Sequence, residues 1–246
     1  YCCLSHRGHV ETESLAVDDL RSSEYLESIS KSVSNVIKCR KVLEIISFGL
    51  GHVSDCKISQ YQLALLLCLK DELHIEKVVV HDPIFYKGEC KLLEELGLEV
   101  LKENTEGRYV ISDQDITLVY LPHCPKQLTN NFLWSNWNVN LKNCILICNS
   151  FKSLLENQPN RIVAETVPYI YKIQPFVVEI LLENSFKYTD IFNDTSIHTF
   201  SVDKLEFDRN FWLKNEILDY LDTEEFITKL MAATMYDALR LASSRF

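Results

Sequence analysis

Val42-Leu43-Glu44-Ile45-Ile46-Ser47-Phe48-Gly49-Leu50-Gly51-His52-Val53-Ser54 runs an apolar, β-branched segment into two glycines and then a polar turn. A short apolar run closed by Gly suits a strand covered by helices on both faces, as in a parallel sheet. The chain downstream repeats the theme. Gln60 to Leu73 has an apolar helical pattern, Lys77 to His81 a strand pattern, and Glu89 to Leu96 a helical pattern closed by Gly97. Leu98 to Leu101, Thr117 to Leu121 and Cys144 to Cys148 are further predicted strands, with Gln127 to Trp134 helical before the last. Short strands alternating with helices are the mark of βαβ units. The fold class expected is therefore α/β, a three-layer Rossmann-like domain with a mostly parallel sheet, flanking helices and extra helices at both termini.

Outside this core the pattern loosens. Residues 14 to 38 carry Leu26, Ile29, Val33 and Val36 at helical spacing, which predicts a lead-in helix after a loose first dozen residues. Beyond Phe151, Pro159, Pro168 and Pro175 interrupt helical readings; a helix is expected after Pro175 and a last strand over Ser196 to Phe200. Thr223 to Ser244 reads as a terminal helix, with Thr223 as N-cap and Glu224 and Glu225 in its first turn. The division expected is a tail and lead-in helix over 1–40, an α/β domain over 41–202, and a helical extension over 203–246 packed on that domain.

The 246 residues hold 25 basic and 35 acidic side chains, a net charge of -10 that works against direct nucleic-acid binding. The longest apolar run, Leu63 to Leu69, is far short of the ~20 residues that span a bilayer, so no membrane partner is expected. Nine Cys, odd in number and without a C-x-x-C pair, argue for a reducing compartment and against structural zinc; no metal is expected. Cys68, Cys144 and Cys148 read as small core residues. The chain opens on Tyr1 rather than Met, so a fragment is expected, and a removed targeting peptide is compatible with it.

Open α/β sheets bind ligands outside the carboxyl ends of their strands. Here those ends carry Gly49, Gly51 and Ser54, then Asp82, then His123 and Cys124, then Asn149 and Ser150. The glycine loop is G-x-G-x-x-S. A dinucleotide fingerprint would have a third Gly at Ser54 and an acid ~20 residues on, whereas Asp82 stands 31 positions beyond Gly51 (82 minus 51). A ligand cradle and a ligand-free tight turn fit it equally. Asp82 suits a ribose hydroxyl or a turn cap. His123 beside Cys124 offers a nucleophile or metal ligand, although neighbours on one loop often point apart. Asn130 and Asn131, in a cluster with Trp134, Asn136 and Trp137, suit a polar ligand or helix capping. Asp190 to His198, with Asp194 at its centre, suits a hydroxyl-rich ligand or a plain turn and matches no calcium loop.

Ser47-Phe48-Gly49-Leu50-Gly51, Tyr61-Gln62-Leu63-Ala64, His81-Asp82-Pro83-Ile84-Phe85, Leu121-Pro122-His123-Cys124-Pro125 and Asn130 to Trp137 together resemble the sensitivity to red light reduced family. Asp190 to His198 resembles the same family's later segment, and the likeness spans roughly residues 42 to 202. It implies a regulator rather than an enzyme, linked to circadian clock-gene expression and to regulation of haem biosynthesis. It carries no accepted catalytic residues. It also implies protein partners and a location in the cytoplasm, with the nucleus as a second compartment. Haem enters as a candidate cofactor with Cys124 as its thiolate ligand, since thiolates are among the groups that hold haem iron. The alternatives are a methyltransferase-like enzyme with a nucleotide-type cofactor, for which the first strand lacks the expected acid, and a plain protein-interaction module.

Overall fold

The computed structural model describes residues 15–201 and 209–213. The first dozen residues and the expected terminal helix lie outside these. After a helical stretch over 15–21, the elements are α1 (Glu24–Ile37), β1 (Val42–Phe48), α2 (Lys57–Glu72), β2 (Lys77–His81), α3 (Lys87–Glu95), β3 (Glu99–Val100), β4 (Ile116–Leu121) and α4 (Lys126–Ser135). Then come a 3-10 turn (Val139–Asn143), β5 (Cys144–Asn149), α5 (Phe151–Asn157), α6 (Asn160–Thr166), α7 (Pro168–Ile173), β6 (Val177–Leu181) and β7 (Thr195–Phe200). The protein is α/β, with one seven-stranded sheet in the order β3-β2-β1-β4-β5-β7-β6. Strands β1 to β5 pair parallel, and β7 runs antiparallel between β5 and β6.

The central strands are mostly apolar because each faces two cores. Ile45, Leu118, Ile145 and Ile147 look towards Leu26, Ile29 and Val33 of α1 and Leu63, Leu65 and Leu66 of α2. Ile46, Val119, Leu121 and Leu146 look towards Phe132 and Leu133 of α4, Val163 of α6 and Ile170 of α7. Cys68, Cys144 and Cys148 are core residues, and none of the seven described cysteines forms a disulfide. The lead-in helix belongs to the same core, so α1 is a layer of the domain rather than an appendage.

One element differs from expectation. Pro175 opens no helix; it sits in a single 3-10 turn, and Val177–Leu181 is strand β6. The β-branched pair Val177-Val178 suits a pleated edge, and β7 supplies a ladder from Val177↔Phe200 to Leu181↔Ser196. Trp137 lies past the end of α4; it is buried, and its indole N–H donates to the Phe211 carbonyl at 2.9 Å.

Candidate functional site

Because β1, β2, β4 and β5 are parallel, the loops carrying Gly49, Asp82, His123 and Asn149 all emerge on one rim. The chain order turns outward in both directions from the β1–β4 boundary, the switch point where such sheets leave a crevice. That crevice is filled from within. Gly49 has φ +74°, and a Cβ on it would lie 2.4 Å from the Cys124 Sγ. The Cys124 thiol donates to the Phe48 carbonyl at 3.0 Å, and burial pushes its pKa well above the ordinary thiol value. This geometry turns the thiol towards the Phe48 carbonyl, while Cys124 also borders the cavity between the β4 and β5 loops.

The backbone donors of the glycine loop are also engaged. The Gly51 N–H donates to Asp82 Oδ2 at 2.8 Å, while Asp82 Oδ1 accepts from the Ile84 N–H at 3.0 Å. Burial raises the Asp82 pKa, and these two N–H groups partly offset it. Glu89 does the same one turn on. Its Oε1 accepts from the Ser54 N–H at 2.8 Å and from the Ser54 hydroxyl at 2.7 Å, and its Oε2 accepts from the Tyr86 N–H at 2.7 Å. Burial acts to raise Glu89, but these donors together with His52 outweigh it and hold the carboxyl below its ordinary value. Two protein carboxylates thus occupy donors that an anionic ligand would need.

Beside this plug, between the β4 and β5 loops, lies a cavity of about 530 Å³. His123, Asn149, Ser150 and Asp194 converge on it, with Lys126 and Thr129 from the first turns of α4. His123 adopts φ +49°, and its Nε2 lies 3.1 Å from the Asn193 carbonyl. Asp194 is left-handed too, at φ +54°, and its carbonyl accepts from the Ser150 N–H at 2.9 Å. The two turns are thereby tied across the mouth of the cavity. Below the floor, Ser150 donates through its hydroxyl to Glu179 on β6, which also accepts from the Lys152 N–H at 3.1 Å.

Asn130 and Asn131 leave the rim altogether: both are buried in α4 as structural ties. Asn130 Oδ1 accepts from the Tyr169 N–H at 2.8 Å, and Asn131 Nδ2 donates to the Glu106 carbonyl at 3.0 Å. Asn136 continues the pattern, donating to the Tyr109 carbonyl at 2.7 Å and accepting from the Ile111 N–H at 2.9 Å. The connection over 101–115 contains no helix, and Asn131 and Asn136 pair backbone groups of it that helix bonds do not take.

A model of the SRR1 domain matches residues 27–199. The chain belongs to the SRR1 domain family. It is 37% identical over 150 residues to an SRR1-like protein of Mus musculus, a match covering 60% of this chain and 57% of the mouse protein. An SRR1-like protein of Drosophila melanogaster is 31% identical over 235 residues, covering 94% of this chain and 82% of that one. The protein Sensitivity to red light reduced 1 of Arabidopsis thaliana is 28% identical over 192 residues, covering 75% of this chain and 67% of that one.

The matched region begins inside α1, in keeping with that helix's place in the core of this SRR1 domain. Three further residues join these groups in ways that the linear sequence does not signal. Glu89 is spaced like any amphipathic-helix acid, Glu179 falls where a helix is expected, and His198 reads as a strand position at the end of the Asp190 to His198 segment. His198 is wholly buried behind Ser150, with Nδ1 3.2 Å from the Leu146 carbonyl and Nε2 accepting from the Phe151 N–H at 3.4 Å. Cys148 Sγ lies 3.6 Å from His198 Nδ1 and Glu179 Oε2 lies 3.7 Å from Nε2. Only the pairing of β7 between β5 and β6 brings these groups together. Among the described residues no helix is long and apolar enough to cross a membrane.

Proposed function

We propose that this chain is a non-catalytic regulatory protein, acting in circadian clock-gene expression and in the regulation of haem biosynthesis, as its family resemblance implies. Its signalling role parallels the red-light sensitivity for which the Arabidopsis relative is named. It works in the cytoplasm and the nucleus through protein partners that meet the carboxyl rim of the sheet. One observation supports a regulator over a cofactor enzyme. The switch-point crevice is filled by Cys124 on Gly49, and the loop N–H groups of Gly51 and Ser54 are bonded to Asp82 and Glu89. A nucleotide cofactor would have to displace both carboxylates and the thiol.

A methyltransferase-like enzyme is the second reading, favoured by the sheet order with β7 antiparallel between β5 and β6, an order that S-adenosylmethionine-dependent methyltransferases also use. Melting of the protein with NAD and with S-adenosylmethionine separates the two. A ligand at ~100 times its dissociation constant adds ~2.7 kcal/mol to stability. The regulatory reading expects no change in melting temperature with either compound, and a reproducible rise with one of them would replace it by the enzyme. Removing the protein from cells should alter the rhythm of clock-gene transcripts and the haem content, both restored by re-expression; unchanged rhythm and haem would count against those two roles.

A further inference from the structure

A second cavity, of about 840 Å³, opens at the carboxyl ends of β2 and β3, on the far side of Asp82 from the filled crevice. Its lining joins an apolar strip, Pro83 and Phe85 after β2 and Val100 and Leu101 at the end of β3, to the charged side chains Lys87, Glu94, Lys102 and Glu103. Two of the acceptors in this lining come from the end of β2 itself. The first is the Asp82 carboxylate, whose oxygens each accept one backbone N–H and retain capacity for another donor. The second is His81, which is 7% exposed. Its Nδ1 lies 2.9 Å from the Leu101 carbonyl, so Nδ1 carries the proton and Nε2 is left as an acceptor lone pair. That Nε2 is buried without any hydrogen-bond partner. A buried acceptor with no donor costs about 1–3 kcal/mol.

The lining therefore asks for a ligand with a flat apolar body and several donors. Cavities of roughly 300–1,000 Å³ with apolar walls and few polar groups are the usual form of small-molecule sites. The place matters as well: an acid at the end of the second strand, beside the first glycine turn, is where open α/β sheets hold ribose hydroxyls. Because Cys124 closes the neighbouring crevice over Gly49, a ligand here has no room to continue along the glycine loop. It must end at the sugar.

We propose that the β2–β3 cleft binds a nucleoside, its base stacked among Pro83, Phe85 and Leu101 and its ribose hydroxyls donating to Asp82. This rests on the regulatory reading above, in which the nucleoside is a signal and no bond of it is broken. His81 Nε2 is closed off from solvent and makes none of the ligand's contacts.

Calorimetric titration of the full chain with adenosine, guanosine, cytidine and uridine tests the proposal. At least one should bind saturably, and its 2′,3′-dideoxy form should bind about tenfold more weakly or worse, because the donors to Asp82 are gone. Cys90 lines the cleft from α3 and is only partly buried, so Cys90→Trp should fill the space and abolish binding with the melting temperature unchanged. Lys91→Trp, on the exposed face of the same helix, should leave binding intact. No binding by any of the four nucleosides, or binding untouched by Cys90→Trp, overturns the proposal. Either result leaves the regulatory reading standing, since that reading is tested by melting with NAD and S-adenosylmethionine and by removal of the protein from cells.

Discussion

Lowering the pH from roughly 7 to roughly 4.5 should weaken the fold through one side chain, His198. Its imidazole is wholly buried on β7 between Leu146 and Phe151, with Nδ1–H facing the Leu146 carbonyl and Nε2 taking the Phe151 N–H. The Phe151 contact belongs to the neutral ring alone, since a protonated Nε2 cannot accept. Burial pushes its pKa down from 6.5 to about 4, with Glu179 and the Leu146 carbonyl opposing the fall. Below pH 6.5 the unfolded chain takes up a proton that the folded chain refuses, so stability is full above that point and drains as the pH falls towards about 4. At about 1.4 kcal/mol per pH unit, the whole window is worth about 3 kcal/mol, and about 2 kcal/mol of it is gone by roughly pH 4.5. Asp82 works in the opposite sense at lower pH, because its raised pKa lets the folded state bind a proton earlier than the unfolded chain does. Urea unfolding at successive pH values measures the slope. His198→Phe should lose about 1–3 kcal/mol at neutral pH, since it leaves the Phe151 N–H and Leu146 carbonyl without their partner, yet it should flatten the curve between roughly pH 6.5 and 4.5. Parallel curves for wild type and variant would refute the argument.

Gly49→Ala should destabilise the protein by about 2–4 kcal/mol, from overpacking on Cys124 together with the left-handed backbone; adding Cys124→Ala should recover part of the loss in urea unfolding, and simple additivity would show that the thiol is not the obstacle. If haem binds, the absorption spectra of wild type and Cys124→Ala should coincide, because the wild-type thiol is buried and donates to Phe48; a thiolate-type spectrum lost in the variant would mean that the loop opens to present it.

Strands β1, β2, β4 and β5 were legible in the linear sequence, because a strand buried on both faces is apolar at most positions and needs a turn at each end. Their common direction, and with it the shared rim of Gly49, Asp82, His123 and Asn149, follows from helices standing between them. β6 was not legible: Pro175 is a helix-breaking signal that a helix start also uses, and the strand exists because β7 pairs with it. The amide cluster was visible as a cluster but not as scaffolding, since Asn130 and Asn131 suit a ligand as well as they suit the Tyr169 N–H and the Glu106 carbonyl.

By itself, then, the pattern of apolar runs and glycines determined the α/β class, the lead-in helix and the loops that share the carboxyl rim, since those depend on local periodicity and on the need to bury each strand's two faces. Only the tertiary structure decided what the rim contains. Whether Gly51 and Ser54 offer their N–H groups to a ligand depends on Asp82 and Glu89, which lie more than thirty positions away and reach the loop only when β2 and α3 pack beside it. Cys124 on Gly49, His81 with its unpaired nitrogen, and His198 between β5 and β6 are likewise products of strand neighbours distant in the chain. A side chain's partners are fixed by which strands adjoin, and adjacency in a sheet is not written in the spacing of residues along any one of them.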